Sequence, residues 1–428
     1  MSDFIDNIIE KEKESLRSNI LRRFLSYASI GSQCDRHNPV VPSSKGQWEL
    51  LKLLDAECNR LGLVSELDEN GYLYVFLPAS SGCEDVRTVA FFSHVDTAED
   101  APGEIVNPIV HDNYDGGPVR LKNGTILPEE SPELLLYKGD TIVTSDGTSL
   151  LGADDKAGLA AIVSALDFLL SHPEIKHGPV LFVATPDEES GRGTSGLDYN
   201  RIKGCACYTM DAGLEGELET DCFNAVKAEL IFKGVPVHPG TARGLLVNAV
   251  SMAALFVSML PRSESPEATD EDYGFYLPLA INGSVSEARL ELFLRDFDFS
   301  EIERRQDAVL AYAKAVEASF PGGSVQVAFT TQYRNMGEFS DRDRQVIDYA
   351  VIAVNKSCGK VLRKKIRGGT DGARIAEELK MPVPNIFTGA MLMHSVHEWV
   401  ALSAMQKAVE TIIRLTNIWT KSDNSGII

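Results

Sequence analysis

Four apolar runs of this chain end in residues that could hold a cation or move a proton. "AFFSHVD" ends in His94 and Asp96, "VLFVATPDEE" in Asp187, Glu188 and Glu189, "ACYTMD" in Asp211, and "PNIFTGAMLMH" in His394. A fifth element, "LLGADDKAG", sets Asp154 and Asp155 at the entrance to an amphipathic helical run whose apolar residues include Leu159, Ile162, Val163 and Leu166. Imidazole nitrogen and carboxylate oxygen together suit a zinc-like ion, and two such ions about 3.5 to 4 Å apart can activate one water and polarise one carbonyl. Adjacent glutamates allow a division of labour: one ligates while the other takes and returns a proton during hydrolysis. Residues two apart on a strand point the same way, so His94 and Asp96 would share a side, as a ligand and its orienting carboxylate do.

Each fragment also has a plain structural reading. His94 with Asp96 could be the polar edge of a loop, and Asp154 with Asp155 two acids capping a helix start. The Thr-Pro-Asp-Glu-Glu run could be a solvated turn, Asp211 a turn former before Gly213, and His394 with His397 surface residues. What separates the readings is whether the fragments converge, and that depends on the elements that carry them.

From about residue 46 to 222, helical stretches alternate with short apolar runs: "QWELLKLLDAECNRLG", "TVAFFSHVD", "DDKAGLAAIVSALDFLLSH", "GPVLFVATPDEE" and "ACYTMDAG". Such alternation predicts an α/β fold, a mostly parallel sheet covered by helices, with ligands bound in the crevice at the carboxyl ends of the strands. From 223 to 334 the order becomes β-α-β-β-α-β, a ferredoxin-like α+β arrangement. The expected architecture is therefore a catalytic domain over 1–222 and 335–428, interrupted by an inserted domain over 223–334. Cys205 and Cys207 in "GCACYTMDAG" read as alternating residues of a buried strand, with a redox or metal role as the alternative.

Composition narrows the class. A length of 428 residues calls for two or three domains, and 44% apolar with 24% charged residues fits a globular protein. The 62 acidic against 41 basic residues give a formal charge of −21, which argues against a nucleic-acid or anionic-membrane surface as partner. No apolar run approaches the roughly 18 residues that span a bilayer. The charged start, with apolar residues at helical spacing, predicts a surface helix and not a signal peptide. Seven scattered cysteines give no disulfide framework, and a cytoplasmic setting is expected.

The ordered series "SHVDT", "LLGADDKAG", "TPDEESG", "YTMDAG", "VHPGTARG", "IRGGTDGA" and "NIFTGAMLMHSVHE" resembles, over nearly the whole chain, the di-zinc metallopeptidase family that holds carboxypeptidase G, aminoacylase and succinyl-diaminopimelate desuccinylase. The resemblance implies that His94, Asp154 and Asp211 hold one zinc and Asp154, Glu189 and His394 the other, with Asp154 as the bridge followed by a cis peptide. It implies Glu188 as general base and Asp96 as the partner of His94. It places His238 near the scissile group, donating to an oxyanion or to the substrate's carboxylate, and it offers Arg295 and Arg367 for the carboxyl end of a short peptide. Asp187, His111 and His177 match no ligand position. The implied activity is removal of the first residue from tripeptides; a dipeptidase, a carboxypeptidase, an N-acyl-amino-acid hydrolase and a non-catalytic metal binder are the alternatives. Cobalt or manganese could take the place of zinc, and the chain could be a monomer or a homodimer. Around the last ligand, Ala390, Met391, Leu392 and Met393 depart from the Gly and aromatic residues expected there.

Overall fold

The computed structural model describes residues 4–421. It divides into two compact units: the first joins the chain through Thr220 with Phe339–Lys364 and the chain from Glu378, and the second joins Asp221–Glu338 with Lys365–Glu377.

An eight-stranded sheet organises the first unit, in the order Val64–Leu67, Leu73–Leu77, Val180–Thr185, Val89–His94, Ala206–Ala212, Asn385–Phe387, Glu217–Cys222, Leu362–Ile366. The middle four strands run parallel, and antiparallel pairings flank them. A short connection explains the outermost of these pairs, since the turn between Leu67 and Leu73 is too short for a parallel crossover. Val89–His94 and Val180–Thr185 are joined by a crossover that includes the helix Ala153–Ser171, and every residue of both strands is buried, as parallel strands covered on both faces should be. Their register sets His94 opposite Thr185, so both strands finish level.

Ala153–Ser171 is not the amphipathic helix its sequence suggested. Nearly all of it is buried, because it packs on Val89–His94 and Ala206–Ala212 and is itself overlaid by Phe4–Ala28 and Leu402–Trp419. Gly158 permits the close approach: a Cβ there would lie 2.3 Å from the Met210 carbonyl oxygen and 2.8 Å from Ser93 Oγ. The opening helix is likewise more than a surface helix. It buries Ile5, Ile9, Leu16, Ile20, Phe24 and Tyr27, and its buried Arg23 pairs with Glu57 at 2.8 Å and Asp167 at 2.7 Å.

A second, four-stranded sheet was not foreseen. It runs Ala390–Met391, Trp399–Ala401, Ile142–Thr144, Ile109–His111, over an apolar cluster that includes Tyr114, Leu134, Tyr137 and Trp399. Strands of two or three residues leave too little alternation to detect. Its importance is positional, because the segment carrying His394 is the loop between its first two strands.

The second unit has the β-α-β-β-α-β order. Its antiparallel sheet runs Phe275–Gly283, Glu287–Asp296, Asn224–Lys233, Ser324–Tyr333. Alternate residues such as Val226, Ala228, Leu230, Leu290, Leu292 and Leu294 turn inward to a core shared with Ala249–Met259 and Phe299–Ser319. Among the described residues, no helix is long and apolar enough to cross a membrane.

Candidate metal centre

Five side chains from five places in the sequence converge at the carboxyl ends of the parallel strands. They form two groups, His94–Asp154–Asp211 and Asp154–Glu189–His394, in each of which the potential ligand atoms lie within 4.8 Å of one another. Asp154 belongs to both. Its Oδ1 is 2.9 Å from His94 Nε2, and its Oδ2 is 3.5 Å from His394 Nε2. Asp211 Oδ1 approaches His94 Nε2 at 3.5 Å, and Glu189 Oε2 approaches His394 Nε2 at 3.1 Å.

The electrostatics follow from crowding three acids around two imidazoles. Burial and the neighbouring charge of Asp154 push Asp211 up to about 7, and the same two causes push Glu189 up to about 7. Burial opposes ionisation of Asp154 as well, but hydrogen bonds to His394 and His94 outweigh it and hold this carboxyl well below the usual range. Burial would lower His94, yet its bonds to Asp154, Asp211 and Asp96 raise it well above an ordinary imidazole. Hydrogen bonds to Asp154 and Glu189 raise His394 to about 11.

A divalent metal fits this set. Glu189 Oε1 is buried with no hydrogen-bond partner, a costly state for a carboxylate oxygen unless something binds it. The donors are imidazole nitrogen and carboxylate oxygen, which zinc and similar ions accept.

Around the five lies a shell of carboxylates whose oxygens accept from the backbone. The Asp96 oxygens accept from Glu188 N at 3.0 Å and Glu189 N at 3.1 Å, while Oδ1 lies 3.4 Å from His94 Nδ1 and the Asp96 carbonyl is nearer to that nitrogen, at 3.1 Å. Asp96 thus reaches the histidine and also holds the loop of the two glutamates. Asp155 follows a cis peptide, and its carboxylate accepts from Ser93 Oγ at 2.5 Å and His94 N at 3.2 Å. Asp187, which could have been solvent-facing, is fully buried. It accepts from Ser43 N at 2.7 Å, Gln47 Nε2 at 3.0 Å and the Ser43 hydroxyl. Asp187, Leu392 and His394 all hold left-handed φ, 55°, 52° and 62°, a conformation costing on the order of 1 kcal/mol or more that gathers at functional sites.

Sequence reasoning missed four supports. Asp100 accepts from His394 Nδ1 at 3.0 Å. Asn385 accepts from Asp211 N at 3.0 Å and donates to Glu219 at 2.8 Å. Glu398 accepts from the loop that carries Asp154. Lys156 is fully buried and donates to the Ile30 carbonyl at 2.7 Å; burial lowers it to about 8 against the opposing charges of Glu398 and Asp96. Asp100, Lys156 and Glu398 stand inside or beside the motifs, but residue type alone does not distinguish them from solvated charges.

His111 and His177 are outside both groups, the first paired with Thr144 Oγ1 at 2.9 Å and the second with the Gly178 carbonyl at 2.8 Å. His238, Arg295 and Arg367 belong to the second unit. His238 is exposed, and its Nδ1 accepts from Gly240 N at 3.1 Å; in the neutral ring this puts the proton on Nε2. Arg295 is buried, donating to the Leu294 carbonyl at 3.1 Å and Gln332 Oε1 at 2.9 Å. Arg367 donates to the carbonyls of Thr269, Glu271 and Tyr273 and so clamps that loop.

A parallel-centred sheet with two groups able to hold a cation and sharing one carboxylate defines a class, and the comparison with known families agrees: the model of peptidase family M20/M25/M40 matches residues 151–417. The chain belongs to that family and is a peptidase. More narrowly, it is similar to Peptidase T of Clostridium perfringens, 41% identical over 403 residues that make up 93% of this chain and 98% of the relative. Among solved structures, aminopeptidase PepT from Bacillus cereus has a TM-score of 0.73 at 23% identity, covering 94% of this chain and 98% of its own. A tripeptidase from Staphylococcus aureus has a TM-score of 0.74 at 22% identity, covering 95% and 99%. These two share the fold.

Proposed function

We propose that the chain is a two-zinc aminopeptidase that releases the first residue of tripeptides. The observation that carries this reading is the shared carboxylate: Asp154 offers one oxygen to the His94 group and the other to the His394 group. Similarity at 41% identity to a protein called Peptidase T, and a fold shared with a tripeptidase and an aminopeptidase, support the substrate class and the end cut.

In this reading His94, Asp154 and Asp211 hold one zinc and Asp154, Glu189 and His394 the other, with cobalt or manganese able to use the same donors. When bound, such a pair supplies Lewis acidity for a peptide carbonyl and lowers the pKa of water. The protein's own part is proton transfer and placement. Glu188 takes the proton from the attacking water and returns it to the leaving amine, while Asp96, bonded to the Glu188 and Glu189 amides, fixes the loop from which Glu188 acts. His238, with its proton on Nε2, is suited to donate to the developing oxyanion. A substrate carboxylate at Arg295 would compete with Leu294 and Gln332, and at Arg367 with the 269–273 loop. The seven cysteines, all free thiols, suit a reducing, cytoplasmic setting.

The test is to incubate the zinc-loaded protein with an unblocked tripeptide of three different residues and identify the fragments by mass spectrometry. A free first residue with the intact remaining dipeptide is expected. Release of the last residue would replace the proposal with a carboxypeptidase, and no cleavage at full zinc occupancy would overturn it.

A further inference from the structure

We infer that Glu398 is a positioning residue that fixes Asp154 at the junction of the two cation sites and ties it to the hairpin carrying His394. The inference rests on the two-cation reading above. Glu398 is 1% exposed. One carboxylate oxygen accepts from Leu151 N at 2.9 Å and Gly152 N at 2.7 Å, and the other from Asp154 N at 2.9 Å. Three backbone donors thus converge on one carboxylate from 244 or more residues away in the chain.

The local backbone requires such an acceptor. Gly152 has a φ of 75°, and Asp154, with φ −81° and ψ 103°, is not helical although it stands at the helix start. The bend that turns the Asp154 carboxylate toward both histidines leaves these amides without helical partners, and a buried, unmet amide costs about 1–3 kcal/mol. A side chain at position 152 cannot adjust freely, because a Cβ there would lie 2.9 Å from Thr97 Cγ2 and 3.1 Å from Lys156 Nζ. The loop is therefore held from outside, by Glu398.

The other end of Glu398 is equally constrained. Its backbone N donates to the Ser395 carbonyl at 3.1 Å, closing the turn that follows His394. The next residue, Trp399, pairs with Met391 and Thr144. One residue thus belongs to the His394 hairpin through its backbone and to the Asp154 loop through its carboxylate. A shift of either would move one ligand of the second cation group against another.

The test uses the full chain with Glu398→Gln, which keeps the size but replaces one acceptor oxygen with a donor. Zinc content and affinity are measured by competition with a chromophoric chelator, kcat and KM on a tripeptide, and thermal stability on the metal-free protein. The expected result is a 10- to 100-fold loss of zinc affinity with a comparable loss in kcat, KM within about twofold, and partial recovery in Glu398→Asp, which keeps both oxygens. Wild-type zinc affinity and kcat in Glu398→Gln, with or without a lowered melting temperature, would overturn the inference and leave a packing role. Should Glu398→Gln fail to fold, Glu398→Asp decides: its carboxylate is drawn back by one methylene, so lowered affinity supports the inference and wild-type affinity overturns it. Zinc affinity is read without substrate, so a protein that binds two zinc ions but cleaves no tripeptide would sink the proposed activity without touching this result.

Discussion

The two halves of the metal centre share Asp154 but differ in almost everything else. His94 sits at the end of a fully buried strand with its side chain 3% exposed, whereas His394 sits on a hairpin loop with its side chain 45% exposed. The Nδ1 of His94 is met by the carbonyl and carboxylate of the buried Asp96, and that of His394 by Asp100, which is 56% exposed. Sheet register and core packing dictate one half, and a local turn braced by Glu398 the other. The buried half should therefore bind its cation tightly and contribute to folding, and the exposed half should exchange its cation more readily.

Glu188 belongs to neither half, and this gives the largest expected effect. Glu188→Gln should keep both zinc ions, by elemental analysis, while kcat falls by about 10²–10⁴-fold. Full activity would remove Glu188 as the base; loss of one zinc would show that the two halves do not exhaust the ligand set. Next come the histidines. His94→Ala leaves buried Asp154, Asp211 and Asp96 without their cationic or hydrogen-bonding partner, a loss on the order of 3–5 kcal/mol, so the protein should lose zinc and melt at a clearly lower temperature. His394→Ala also leaves Asp154 and Glu189 without a partner, but its ring is 45% exposed, so it should lose one zinc with a smaller drop in the melting temperature of the metal-free protein than His94→Ala. Equal destabilisation in the two variants would break the comparison.

The supporting carboxylates extend it one layer outward. Asp96→Asn should weaken zinc retention or activity about 10- to 100-fold, because the amide cannot accept from two backbone amides while serving His94. Asp100→Asn should have a smaller effect, confined to the more exchangeable ion, since an exposed carboxylate orients a ring more weakly than a buried one. Chelator competition resolves the two, and an Asp100→Asn effect equal to that of Asp96→Asn would mean that exposure is not what separates the halves.

The same contrast explains what could be read from the sequence. The buried half lies at the ends of apolar runs long enough to declare themselves as strands, so "AFFSHVD" and "ACYTMD" located His94 and Asp211, and the β-α-β-β-α-β order of the second unit was equally legible. His394 was legible only as a histidine after an apolar run and through the family resemblance, because its flanking strands span two and three residues. Ala153–Ser171 looked amphipathic, as three layers packing on one helix leave no trace in its own periodicity. Asp100, Glu219 and Glu398 were invisible for a different reason. An acid that serves backbone amides or an imidazole across the fold has the same local sequence as one in water, and only the tertiary structure separates them.

The smallest effect tests the far end of the buried half. Asp211 N donates to Asn385, whose amide donates to Glu219, partly buried beside Glu217 and Lys364. Burial and the charge of Glu217 push Glu219 from its ordinary 4.5 up to about 7 in the folded protein, against the opposing pull of the Asn385 bond. The folded chain thus binds this proton more tightly than the unfolded chain does. Its contribution to stability is complete below about pH 4.5 and is lost as the pH rises through about 7, a difference on the order of 1–3 kcal/mol. Glu219→Gln stays neutral throughout, so in metal-free protein its stability relative to wild type should improve between pH 4.5 and 7 and level off above that, as read from denaturant midpoints at several pH values. Parallel curves for the two proteins would mean that Glu219 ionises normally, and that the support behind Asp211 is already solvated one residue beyond the amide that holds it.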